Sequence, residues 1–132
     1  MKYRALLTPI LLGLVFSSSA QAENPDHVQK LLKSGRCPKC DLSGADLAAA
    51  NLRKADLQGA DLSNANLNLA DLTRANLSEA NLTGASLAFT DFTDAVLTSA
   101  QLNDAVLEGG DKFGRAQSFE KATLPNGATA YP

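Results

Sequence analysis

The chain has 132 residues, a formal net charge of −2 and no tryptophan, with few aromatic residues of any kind. That length allows one small domain. The scarcity of aromatics argues against a large conventional core, and the slightly acidic balance argues against nucleic acid as a partner.

Residues 1–22 read as a secretory signal peptide. Lys2 and Arg4 give the positive start, residues 5–16 an apolar run, and Ser17 to Ala22 a small-x-small pattern with cleavage after Ala22. Pro9 and Gly13 interrupt the run, which is shorter than the roughly 20 residues a membrane span needs. No membrane association is therefore expected after cleavage. No Cys lies near the cleavage site and no twin-arginine pair precedes it, so the general secretory route is expected. Cleavage removes Lys2 and Arg4 and no acid, leaving ten basic against fourteen acidic residues, a net charge of −4.

Residues 23–36 form a short helix and linker. Asn24 is placed to cap the helix, Pro25 suits its first turn, and Asp26 faces the positive dipole end. Val28, Leu31 and Leu32 share one face, and Gly35 ends the helix. This is read as a lid over the next segment, with a docking helix for a partner as the alternative. His27 is expected to be solvated, since no second His exists to pair with it.

Cys37-Pro38-Lys39-Cys40 is the one motif with reactive side chains. Three readings are open. In an oxidising compartment the pair forms a local disulfide. Both remain thiols, with Cys40 a small apolar filler. Or the pair is a redox site, which wants an exposed thiolate of low pKa at a helix start. A metal site needs about four ligands, and two Cys with one distant His do not supply them.

From Cys40 to Gly109 the chain divides into fourteen five-residue cassettes without insertion. The third position is Leu in thirteen of them and Phe92 in the other. The first is Ala in twelve, Cys40 and Thr90 being the exceptions. A period of five makes no stripe on an α-helix, where residues five apart sit about 140° from each other. On a straight strand it would alternate leucines between faces. A chain that keeps Leu on one side must turn a corner in every cassette. Repeated corners wind a coil, and coils stack as a solenoid with leucines inside.

The phrase A-(D/N)-L-(S/T)-X, repeated over residues 40–109, resembles the pentapeptide-repeat family, and short exported members similar to this chain are common in cyanobacteria. The resemblance implies an all-β solenoid, a right-handed quadrilateral parallel β-helix with four cassettes per coil. Fourteen cassettes then make three and a half coils, about 17 Å long at the usual strand spacing, in a β-helix expected to run over residues 37–109. It also implies the periplasm or thylakoid lumen as the destination. Some family members resemble duplex DNA and inhibit a type II topoisomerase, but this rod is short and modestly charged.

With four cassettes per coil, residues twenty apart stack in columns. One face then carries Ala48, Ala49, Leu69, Ala88, Phe89, Val106 and Gly109. It is the least polar side, and such a patch marks a contact: the chain's own tail, another protein or a second copy. A further face gathers Arg53, Lys54 and Arg74 beside Asp71, Asp91 and Asp94, read as a solvated mixed-charge surface. Stacked pairs such as Asp41/Asp61 offer no cage for a cation.

After Gly109 the register fails, with Lys112 where Leu is due and Phe113 one place late. Residues 110–132 are read as a C-terminal cap and loose tail, with Phe113 to Leu124 an irregular coil or short helix. No catalytic set, phosphate loop or cofactor motif is visible. The expected function is a non-enzymatic exported structural or protein-interaction module without cofactor or metal. Its candidate interaction residues are Leu69, Ala88, Phe89 and Val106. The alternatives are redox response through Cys37 and Cys40, and DNA mimicry.

Overall fold

Every backbone N–H needs a partner, and a five-residue cassette has to place five of them. Residues 60–64 show how. Ala60 N–H donates to Leu57 O at 3.0 Å, closing a tight turn. Asp61 donates to Cys40 O in the preceding coil, while Leu62 and Asn64 donate to Asn81 O and Thr83 O in the following one. The remaining donor, Ser63 N–H, has no backbone acceptor and goes to Asp61 Oδ1 at 2.9 Å. That is the physical reason for Asp or Asn before the central leucine. The same bond recurs at Asp46–Ala48, Asn51–Arg53, Asn76–Ser78 and Asp91–Thr93. Where Ser86 takes the Asp/Asn position, Asn68 Oδ1 from the preceding coil accepts Ala88 N–H instead.

The structure is a computed structural model describing residues 24–109 and 115–128. The expected signal peptide and the residues Lys112, Phe113 and Tyr131 lie outside this range. Parallel bridges join residues twenty apart, from Arg36–Asp56 and Asp41–Asp61 through to Ser86–Val106. Twenty residues are four cassettes, so each coil has four sides. The expected β-helix is built from isolated bridges and contains no extended strand among the described residues. The cause is the turn: each corner consumes so much of a cassette that one bridging residue remains per side.

The corners share one backbone signature. The last residue of each cassette has positive φ, from Gly44 at 70° and Ala49 at 58° to Gly109 at 95°. Positive φ at the third turn residue alone is the mark of a type II turn. Lys, Arg, Leu, Glu and Phe occupy it as well as Gly, although a side chain there is strained by about 1–3 kcal/mol. The interior compensates. The central residues from Leu42 to Leu102 are all 2% exposed or less, Phe92 included, and Leu107 is partly buried against them. Each buried Leu contributes roughly 1.5–3 kcal/mol. Thr90, in an alanine position, satisfies its buried hydroxyl by donating to Leu67 O at 2.7 Å.

Helix α1, Pro25–Ser34, has the expected caps. Asn24 Oδ1 accepts from Asp26 N–H at 3.1 Å, and Gly35, at φ 68°, donates to Leu31 O. Leu31 is buried in the core and Val28 packs against it. Leu32 departs from the expected shared face: it is exposed, because α1 presents only a narrow stripe to the coil.

Two further departures lie at the coil's ends. Arg36 already bridges and Cys37 N–H donates to Asp56 O, so Gly35 to Lys39 behave as a cassette, with Cys37 in the leucine column. At the other end the register resumes. Val96 bridges Ser118 and Gln101 bridges Thr123, a spacing of 22 rather than 20. Two extra residues are absorbed, after which Ala122 is fully buried in the alanine column and Phe119 packs on the core. The irregular coil or short helix expected up to Leu124 is thus, over Ser118 to Thr123, a continuation of the ladder.

Candidate interaction face

The corner residue of each cassette projects outward and leans over the corner of the following coil. Gly59, Gly84 and Gly109 reveal this lean. A Cβ on them would press on Lys39, Asn64 and Phe89 respectively, and at Gly109 it would overlap the Phe89 ring. Ala49, Leu69, Phe89 and Gly109 form one such column. Leu69 is 65% exposed and Phe89 57%, with Val106 on the adjoining side at 47%. Ala88 is half-buried and its N–H is taken by Asn68. Leu69 and Phe89 thus share one corner, Ala88 precedes Phe89 on a hydrogen-bonded backbone, and Val106 stands beside that corner and not in it.

The mixed-charge side carries two exposed ion pairs, Arg53–Asp71 at 3.0 Å and Arg74–Asp94 at 3.4 Å. Partial burial raises the pKa of Asp71. Bonds from the Thr73 hydroxyl and N–H, together with Arg53, outweigh this and leave it below the usual 3.8. Exposed pairs of this kind contribute at most about 1 kcal/mol each.

The N-terminal corner holds the cysteines. Cys37 and Cys40 are joined as a disulfide with Cα atoms 5.3 Å apart. Both are buried, one in the leucine column and one in the alanine column. His27, expected to be solvated, instead contacts the first coil: Asp41 N–H donates to its Nδ1 at 3.0 Å. Nothing in the local sequence announces this contact, which follows from how α1 folds back. The Ser43 hydroxyl and N–H lower the pKa of the neighbouring Asp41, and His27 adds to the effect. Among the described residues no group of three or more His, Cys, Asp or Glu side chains is arranged to hold a metal ion. No described helix is long and apolar enough to cross a membrane.

A coil of twenty residues with inward Leu and Ala and an Asx bond in most cassettes defines a repeat solenoid, a class that presents rigid lateral surfaces. The family model described as pentapeptide repeats matches residues 40–78 and 75–111 in eight copies. The chain belongs to the pentapeptide-repeat family, whose fold is a right-handed quadrilateral β-helix. It is similar to the pentapeptide repeat protein alr5209 of Nostoc PCC 7120, at 32% identity, covering 77% of this chain and 75% of that one, with a TM-score of 0.38. It is also similar to HetL of Nostoc sp. PCC 7120, involved in heterocyst differentiation regulation, at 29% identity over 72% of this chain, with a TM-score of 0.37. The chain spans about half of HetL, 51% of its length. A pentapeptide repeat protein of the Arabidopsis thaliana thylakoid lumen is 30% identical, covering 70% of this chain and 64% of that one, with a TM-score of 0.34. No curated protein matches the sequence.

Proposed function

We propose that this chain is a non-enzymatic, exported interaction module whose contact surface is the apolar corner of Leu69 and Phe89, bordered by Ala88 and Val106. One observation carries the reading. Two large apolar side chains, each more than half exposed, stand one above the other at a corner position that carries Lys, Asn or Glu in other cassettes. Contiguous exposed apolar surface of this kind marks a contact, and the partner is another protein or a second copy of the chain. The solenoid, about three and a half coils over residues 40–109 by the cassette count and extended by the outer cassettes at either end, serves as the rigid support, with α1 as the lid of its first coil. Export is supported by the charge and apolar pattern of residues 1–22 and by a disulfide, which persists in oxidising compartments. The periplasm or thylakoid lumen fits both.

The other readings have less support. Redox response by an open, reactive Cys37–Cys40 site needs an exposed thiolate, and both cysteines here are buried. A DNA mimic needs a strongly acidic surface, and Arg53, Lys54 and Arg74 interrupt this one. Phe89→Asp places a charge at the centre of the patch without touching the core. Its expected effect is loss of the oligomer or of the bound partner in size-exclusion chromatography with light scattering, at unchanged thermal stability. An unaltered size and an unaltered set of bound proteins would remove the proposal.

A further inference from the structure

The inward pair at a corner of the regular coil is Leu and Ala, as at Leu57 and Ala60, except where Thr90 and Phe92 stand in. At the first corner it is Cys37 and Cys40, joined to each other. That corner has a coil on one side only: Lys39 N–H donates to Gln58 O, and α1 lies on the other side. The disulfide closes covalently the turn that the Cys40 N–H to Cys37 O bond, at 3.2 Å, closes weakly.

Helix α1 covers the sulfurs. Cys37 is 0% exposed and Cys40 4%. The carbonyl oxygen of His27 in α1 lies 3.4 Å from Cys37 Sγ. The oxidised sulfur carries no proton, so this is a packing contact. The His27 ring takes the N–H of Asp41, the residue that follows Cys40. Leu31 fills the same core. The helix is thus fixed to the disulfide's own surroundings by its backbone, a ring nitrogen and an apolar anchor.

We propose that Cys37–Cys40 is a reducible latch under α1, a site for exchange with a dithiol reductant that opens only when the helix lifts. An attacking thiolate must reach a sulfur, and the burial of both cysteines, with His27 of α1 against Cys37 Sγ, denies it access while the helix is seated. Once the helix lifts, one thiolate of the dithiol bonds to one cysteine sulfur and the other cysteine leaves as a thiolate. The second thiol of the reductant then displaces the first cysteine. The reductant becomes a disulfide, and the protein gains two electrons and two protons as two thiols. The turn loses its covalent closure and keeps only the bond from Cys40 N–H to Cys37 O, which loosens the floor on which α1 rests. This site is separate from the Leu69 and Phe89 corner, so either can fail without the other.

The test uses the full oxidised chain with dithiothreitol, quenched by maleimide and followed by intact mass. Reduction of the folded protein is expected to be about 100-fold slower than of the same protein in denaturant, because it waits on local opening. Leu31→Ala is expected to accelerate it about 10-fold or more. Asn24→Ala, which frays only the helix start, does so to a smaller degree and covers the case in which Leu31→Ala fails to fold. In the reduced protein, amide exchange in α1 quickens while that of residues 61–105 does not. Reduction as fast folded as unfolded, reduction rates indifferent to both substitutions, or α1 exchange equal in both redox states would each overturn the proposal.

Discussion

Leu62 and Leu69 have the same side chain and opposite roles. Leu62 is fully buried in the central column, so Leu62→Ala leaves a cavity and is expected to cost about 2–5 kcal/mol by urea titration. Leu69 is exposed and holds φ at 65°, a region that Asn tolerates better than Leu. Leu69→Asn is therefore expected to change stability by less than about 1 kcal/mol, or to raise it, while weakening any contact made by the patch. A large loss of stability in Leu69→Asn would mean that the side chain packs within its own chain. The central Leu and the corner residue are told apart by register alone, because composition gives both as apolar.

Helix α1 shows how local signals and docking differ in legibility. Asn24, Pro25 and Gly35 announce the helix and its ends, and the bonds are present. Asn24→Ala is expected to cost about 1 kcal/mol of helix stability, visible as faster amide exchange at Asp26 and His27. Exchange unchanged there would show that tertiary packing, not the cap, fixes the helix start. The exposure of Leu32 and the His27 to Asp41 bond were not legible, because they depend on the angle at which α1 meets the coil. The corners and the inward leucines were legible because Leu47, Leu52 and Leu57 repeat without a gap, whereas four cassettes to a coil came only from the family resemblance, since a period of five does not say how many corners close a turn. The outer cassettes were hidden by substitution. Gly35 and Cys37 replace Ala and Leu, and two extra residues shift the frame before Ser118. Counting back five from Cys40 is the signal that finds the first of them. The apolar corner was legible as a column once the coil length was set, although Val106 stands beside that column and not in it.

For the molecule as a whole, stacked coils share backbone bonds, so stability is collective. Its pH dependence follows from the carboxylates that the turns use. The folded-state pKa values of Asp41 and Asp71 are lowered from the ordinary 3.8. Such groups stabilise the fold above their unfolded pKa, and the contribution is lost as pH falls through the folded value. Urea midpoints are accordingly expected to fall only below about pH 4 on account of these two groups, with Asp71→Asn flattening part of that fall. A decline already complete at pH 6 would place the controlling groups elsewhere. The exposed Arg53 and Arg74 pairs lose what they contribute as salt rises, so stability is expected to respond little to salt beyond that.

Among the described residues the corner of Leu69 and Phe89 is apolar, and half a coil away stands a corner carrying Glu79. A photo-cross-linking residue placed at Phe89, and separately at Glu79, compares the two in the native compartment. The account predicts adducts to a partner or a second copy from position 89 and few or none from position 79. Equal labelling from both positions, or none from 89, would contradict it.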